Sequence, residues 1–171
     1  MISNNSISEK ISAIAVFTSL ALIFGYIEAV IPFNFGIPGV KLGLANIVTV
    51  TALYYFGVKE AVGISLIRVL LIGLLFGNAM SLIYSLSGAV LSLAVMILCK
   101  KLKLSTIGVS AMGGVFHNVG QLIAAAIVLQ SPALMYYYPV LFISGLVTGI
   151  IIGIISNLII KRLEKSSPSV H

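Results

Sequence analysis

The sequence predicts an all-α integral membrane protein, a bundle of six transmembrane helices with both termini cytoplasmic. Three observations predict it. Of 171 residues, 60% are hydrophobic and only 8% are charged, with a mean hydropathy of +1.19. A soluble domain is roughly half apolar and about a quarter charged, so this chain lies far outside that class. Apolar runs recur along its whole length, divided by short breaks of Gly, Pro, Asn and Lys. The cations, finally, gather in alternate breaks and leave the others nearly bare.

The first run covers residues 11–31 and stops at Pro32. It is longer than the roughly 7–15 apolar residues of a signal peptide, and no small-residue cleavage site follows it, so it is expected to be retained. Residues 32–43 are rich in turn formers and do not suit a regular helix. The second run, 44–56, is short for a bilayer core of about 30 Å, which needs roughly 20 helical residues. Gly57-Val-Lys-Glu60 breaks it, and the third run follows at 61–76. Gly77-Asn78 turns the chain into the fourth, 80–98, which the basic loop Lys100-Lys-Leu-Lys103 is expected to end. The fifth run is 107–129, Gln130-Ser-Pro-Ala interrupts, and 139–160 is the sixth. The polar tail from Lys161 onward is expected to fray. Alternating ten-residue segments of the kind a β-barrel needs are absent.

Six spans place the N-terminus, the second-to-third and fourth-to-fifth loops and the C-terminus on one side. That side carries Lys10, Lys59, Lys100, Lys101, Lys103, Lys161, Arg162 and Lys165, and the other carries Lys41 alone. Positive charge concentrates on the cytoplasmic side of membrane proteins, which orients the bundle. The net charge of +6 is therefore read as a topology signal and not as a nucleic-acid surface. The single Cys99 has no disulfide partner and is expected to pack as an inert residue.

Apolar helices gain nothing from hydrophobicity against one another in lipid, so close packing falls to small residues. Such stripes are Ala15-x-x-x-Ser19 and Ala21-x-x-x-Gly25 in the first run, Gly73-x-x-x-Gly77 in the third, and Ser81, Ser85, Gly88 and Ser92 in the fourth. The sixth has Gly145, Gly149 and Gly153, leading to Asn157. Bundle packing explains these stripes, and a partner subunit is the sharper alternative, best placed on the first run.

Ionisable and amide side chains within a bilayer are costly and mark binding sites or pathways. Here they are Glu28, Lys41, Asn46, Arg68, His117, Asn118 and Gln121. All map to the middle or outer half of the membrane, and His117, Asn118 and Gln121 share one broad helix face. They suggest a substrate-binding pocket open to the outside. With Lys41 and Arg68 against Glu28 it would be net positive and suited to an anionic or phosphate-bearing ligand, because an Arg fork fits two oxyanion atoms. The glycines and Lys41 of Ile37-Pro-Gly-Val-Lys-Leu-Gly-Leu-Ala-Asn46 stand just before a helix start, where exposed N–H groups receive anions. The alternative is that Glu28 and Arg68 form a structural ion pair while the amides bridge helices. Tyr136-Tyr-Tyr138 suits an interfacial aromatic belt, or stacking on a planar ligand at the pocket mouth.

The chain has no P-loop, no metal-ligand spacing and no Asp. The lack of Asp excludes Asp-rich magnesium clusters. No cofactor, metal or catalytic role is expected, and active movement of a solute would need an ion gradient or another subunit.

The segments Pro38-Gly-Val-Lys-Leu-Gly-Leu-Ala-Asn46, Ser65-Leu-Ile-Arg-Val-Leu70 and Gly113-Gly-Val-Phe-His-Asn-Val-Gly-Gln121 resemble a family of small bacterial membrane proteins. It is known as the Gx transporter family, or heptaprenyl diphosphate synthase component I, and the resemblance covers about residues 11–160. This family in turn looks like the substrate-binding S components of energy-coupling factor (ECF) transporters. That resemblance implies six helices, an outward-facing pocket, a bacterial plasma membrane, and as partners a transmembrane T component with two cytoplasmic ATPases. S components dock on T through small residues of the first helix, which would give Ala15 and Ser19 that role. The two family labels imply different functions. Solute capture for a vitamin, flavin-like or other anionic solute suits the polar pocket better. The other label implies a non-catalytic membrane subunit in menaquinone side-chain synthesis, where a lipid-facing scaffold holds a prenyl chain.

Overall fold

A computed structural model describes residues 4–31 and 43–166. Within them the chain forms six α-helices: α1 (Asn4–Val30), α2 (Leu44–Tyr55), α3 (Val58–Phe76), α4 (Ala79–Lys101), α5 (Thr106–Val128) and α6 (Tyr138–Ser166). A short 3-10 helix, Pro132–Tyr137, fills what the sequence suggested was a plain break between α5 and α6.

Local chemistry sets the helix boundaries. Gly57 takes a φ of 117°, a backbone that a side chain disfavours, and so separates α2 from α3 with almost no loop. Asn78 caps α4 by accepting the Ser81 N–H at 2.8 Å, and Ser105 caps α5 by accepting that of Gly108 at 3.2 Å. The helices run further than the apolar runs did. Lys100 and Lys101 form the last turn of α4 instead of a loop, and α6 continues through Lys161 and Arg162 to Ser166 instead of fraying. Hydropathy marks the stretch that suits lipid, whereas helical hydrogen bonding continues into the polar ends, and cations there favour the negative end of the helix dipole.

Four helices (α1, α4, α5 and α6) are long and apolar enough to cross a bilayer, which makes this a membrane protein. Their outward surfaces are apolar, with Ile11, Val16, Leu98, Ile127, Ile143 and Leu158 exposed, as lipid contact requires. Helix α2 is different. Its 12 residues rise only about 18 Å, and every side chain from Ile47 to Leu53 is buried. It packs against α1, α3, α5 and α6; the other helices follow one another in the order α1, α3, α4, α5, α6, and α2 joins α6 back to α1. Thr51 donates to the Ile47 carbonyl at 2.7 Å and Ser156 to the same carbonyl at 3.3 Å, so its hydroxyl neighbours are satisfied without water.

Glycine closes the α4–α5–α6 side. A Cβ at Gly149 would stand 2.7 Å from the Ser110 carbonyl oxygen and from the Ala111 Cα, and one at Gly153 would stand 2.7 Å from the Ile107 Cα. These helices touch backbone to backbone, as small-residue stripes allow. Ser92 Oγ donates across to the Gly113 carbonyl at 2.8 Å, tying α4 to α5. Cys99 is free and buried in the central cluster. The two stripes of α1 face opposite ways. Ala21 and Gly25 are buried, whereas Ala15 and Ser19 lie on the outer surface.

The two ends of the bundle differ in charge. Lys10 at the start of α1 pairs with Glu60 at the start of α3 at 2.7 Å, the one salt bridge among the described residues. Hydrogen bonding to Lys10 holds the Glu60 carboxyl below the usual carboxylate range. At the same end Lys100 Nζ donates to the Leu53 carbonyl at 2.5 Å and lies 4.9 Å from the centre of the Tyr54 ring. The opposite end holds the C-termini of α1 and α3, the N-termini of α2 and α4, and a cavity.

Candidate ligand cavity

The cavity has a volume of about 280 Å³ and is walled by all six helices. Glu28 comes from α1, Asn46 from α2, Arg68 from α3, and His117, Asn118 and Gln121 from one face of α5. Six of the seven sequence-predicted ligand residues are thus brought together. The seventh, Lys41, lies outside the described residues, as does most of the Pro-Gly-Val-Lys segment. Ala15 and Ser19 are far from this space by position on α1; the Ser19 hydroxyl donates to the Ala15 carbonyl at 2.9 Å. Tyr136 is 87% exposed, and none of the three tyrosines lines the cavity.

Glu28 has a specific partner. Its Oε1 accepts the backbone N–H of Leu44, the first residue of α2, at 2.9 Å. A carboxylate there satisfies one of the unpaired N–H groups of the helix start and meets the positive end of its dipole. Gly43 makes the approach possible, turning into α2 through a left-handed φ of 73°. So α2 is held by a carboxylate at its N-terminus and by the Lys100 ammonium at its C-terminus.

Arg68 is not so provided for. The expected alternative, a structural ion pair with Glu28, does not form. Among the described residues no carboxylate oxygen lies within 4.0 Å of the guanidinium. Its Nε is buried without a hydrogen-bond partner, and its stem packs beside Gly25, where a Cβ would stand 3.6 Å from the Arg68 Cγ. Glu28 is engaged at α2 because that helix start is the nearer demand for a negative charge, and Arg68 is left facing the cavity. The described lining carries one positive and one negative side chain, Arg68 and Glu28, with His117 beside them. The expected positive excess depended on Lys41.

The amides divide between two tasks. Asn118 Nδ2 donates to the Leu141 carbonyl at 2.8 Å and to Ser144 Oγ at 3.4 Å, bridging α5 to α6. Asn46 and Gln121 border the space as uncharged hydrogen-bonding groups. Their placement rests on glycine. A Cβ at Gly88 would stand 2.8 Å from both the Gln121 Cγ and the His117 carbonyl oxygen, so α4 can lie close against the turn of α5 that bears these residues.

The cavity also recruits Ser81, Ser85 and Thr148. Ser81 and Ser85 lie four residues apart on α4, a spacing that read equally well as a packing stripe. Nothing in the sequence distinguished a serine facing a void from one facing a helix. Thr148 commits its hydroxyl proton to the Ser144 carbonyl at 2.8 Å, so toward a ligand its oxygen can only accept.

Comparison with known proteins adds one finding. The family model described as heptaprenyl diphosphate synthase component I matches residues 17–159, a stretch that includes α2 to α5 whole, most of α6 and every described polar residue of the cavity. No curated protein and no solved structure matches the chain.

Proposed function

The chain belongs to the heptaprenyl diphosphate synthase component I family, and from that premise we propose that it is a membrane-embedded, non-catalytic subunit that binds a small oxyanion-bearing molecule in the cavity around Arg68. In this reading all six helices are set in a bacterial plasma membrane with the basic end cytoplasmic and the cavity toward the outside. The subunit captures its solute for transport, and partner ATPases supply the energy through a T component that docks on the exposed Ala15 and Ser19 face of α1.

The observation that carries this reading is the unpaired Arg68. A cation inside a membrane protein is costly, and a guanidinium with no carboxylate in direct contact in a polar cavity makes sense where a further counter-ion arrives from outside. The expected contribution of such a charged, partly buried contact is about 1.5–3 kcal/mol. Native mass spectrometry of the gently solubilised protein tests the reading. A retained small anion that is lost in Arg68→Ala supports it. An Arg68→Ala protein that is folded and keeps the same bound molecule overturns it.

The family description favours a second reading, a membrane subunit that works with a prenyl diphosphate synthase. A diphosphate would suit Arg68, while a cavity of about 280 Å³ leaves a long prenyl tail to run outside it, along the lipid-facing helices. Stable co-purification with a soluble Asp-rich synthase favours this reading. Recovery of a T component with an ATPase pair favours transport.

A further inference from the structure

The two charged groups of the cavity restrict what it can hold more than Arg68 does alone. Arg68 and Glu28 border the same space, stand more than 4.0 Å apart, and neutralise each other in formal charge. Each has an unused side. Arg68 Nε has no partner. Glu28 commits Oε1 to the Leu44 N–H, and its other carboxylate oxygen has no hydrogen bond among the described residues. A simple anion would meet Arg68 but face repulsion from Glu28. A neutral molecule would leave the guanidinium without a counter-ion. A diphosphate would bring several negative charges to a lining whose described charges cancel.

Resting on the reading of this cavity as a ligand site, we infer that its ligand is a small dipolar molecule. One end is an oxyanion, carboxylate or phosphate, held by Arg68. The other is an N–H or O–H donor, best an ammonium, received by the second oxygen of Glu28. Asn46 and Gln121 line the same cavity and offer uncharged hydrogen bonds to whatever joins the two ends. A volume of about 280 Å³ falls at the lower end of ligand pockets, roughly 300–1,000 Å³, which suits a molecule of metabolite size. Glu28 then has two functions: it fixes the start of α2 and selects for the donor end of the ligand.

The test uses the full chain in phosphatidylcholine nanodiscs and isothermal titration with matched probes. β-Alanine, γ-aminobutyrate and phosphoethanolamine carry both ends; propionate, butyrate and inorganic phosphate carry only the anion. The best amino-bearing probe is expected to bind at least about tenfold tighter than its plain counterpart, since a charged hydrogen bond of this kind is worth that much. Glu28→Gln keeps an oxygen for the Leu44 N–H, so its melting temperature stays near that of the parent. It should erase the preference by weakening the amino probes and tightening the plain anions. Arg68→Gln should weaken both sets. If the parent binds both sets equally and Arg68→Gln still weakens them, the dipolar class is overturned while the cavity reading stands. If no probe of either set binds, both are overturned. Should Glu28→Gln not fold, the paired affinities of the parent decide alone. Phosphatidylethanolamine headgroups share this chemistry, whereas choline has no N–H to donate. Competition by added phosphatidylethanolamine assigns the dipolar ligand to the lipid, and its absence assigns it to a soluble solute.

Discussion

The two sides of the bundle solve the packing problem in opposite ways. On the α4–α5–α6 side, Gly88, Gly114, Gly120, Gly145, Gly149 and Gly153 each lie against the backbone of a neighbouring helix. On the α1–α3 side the approach is filled by side chains: the Cβ that Gly25 lacks would stand 3.0 Å from the Ile72 Cγ1 and 3.6 Å from the Arg68 Cγ. One side meets backbone to backbone, the other through side chains. Helix α2 stands between them with one tie to each, Glu28 from α1 at its N-terminus and Lys100 from α4 at its C-terminus. The lesson is that close backbone packing and a polar cavity can share the same helices, since Gly114 meets the Gly145 backbone and also lines the cavity.

The sharpest way to break this contrast is to add bulk to each side. Gly149→Leu drives a side chain into the Ser110–Ala111 backbone and is expected to cost more than about 3 kcal/mol, read as loss of folded protein in thermal melts. Gly63 on α3 has nothing within 4 Å of its missing Cβ, so Gly63→Ala should be neutral or gain up to about 1 kcal/mol. Equal losses for both would show that the two sides do not differ. Next in size is Arg68→Met, which removes an unpaired interior charge. It should raise stability by about 1–3 kcal/mol while abolishing anion binding, a trade between stability and function. A melting temperature that falls instead would mean that Arg68 has a structural partner.

Smaller effects test the ties on α2 and the basic end. Lys100→Met keeps the apolar stem but loses the ammonium at the Leu53 carbonyl, and should cost about 1–2 kcal/mol. The smallest effect is expected from the exposed Lys10–Glu60 pair, at most about 1 kcal/mol. Because Lys10 lowers the Glu60 carboxyl below its usual range, the contribution is present above the unfolded carboxylate pKa. It fades as pH falls through the lowered value in the folded protein. Melting temperatures measured from neutral to acid pH should therefore converge for the parent and Glu60→Gln at the acid end. A gap that widens toward acid would reverse the sign of the pair.

Much of this arrangement was legible in the residues. Apolar runs place all six helices, because lipid rewards length and hydropathy directly. The rarity of charge in those runs singles out Glu28, Asn46, Arg68, His117, Asn118 and Gln121, which share one cavity. The partners of those residues were not legible. Opposite charges on neighbouring helices suggest a salt bridge, but whether Glu28 meets Arg68 or the Leu44 N–H depends on where α2 begins, and a left-handed Gly43 decides that. The Asn118 bridge to Leu141 depends in the same way on a close α5–α6 approach at Gly145, whose missing Cβ would stand 2.9 Å from the Asn118 Nδ2. Periodicity reports the face of a helix and not the depth of its neighbour.

The brevity of α2 has a consequence for the membrane around it. Helices that touch lipid answer a thicker or thinner bilayer by tilting, each at a cost of fractions of a kcal/mol per ångström of mismatch. At 12 residues, enclosed by its neighbours and secured at each end by a side chain of another helix, α2 has no such contact to adjust. The outer helices can lean with the thickness of their surroundings while the Leu44 end of α2 stays in register with Glu28. A change in bilayer thickness thus reaches the cavity through its outer walls, while the short interior rod of α2 stays as its fixed reference.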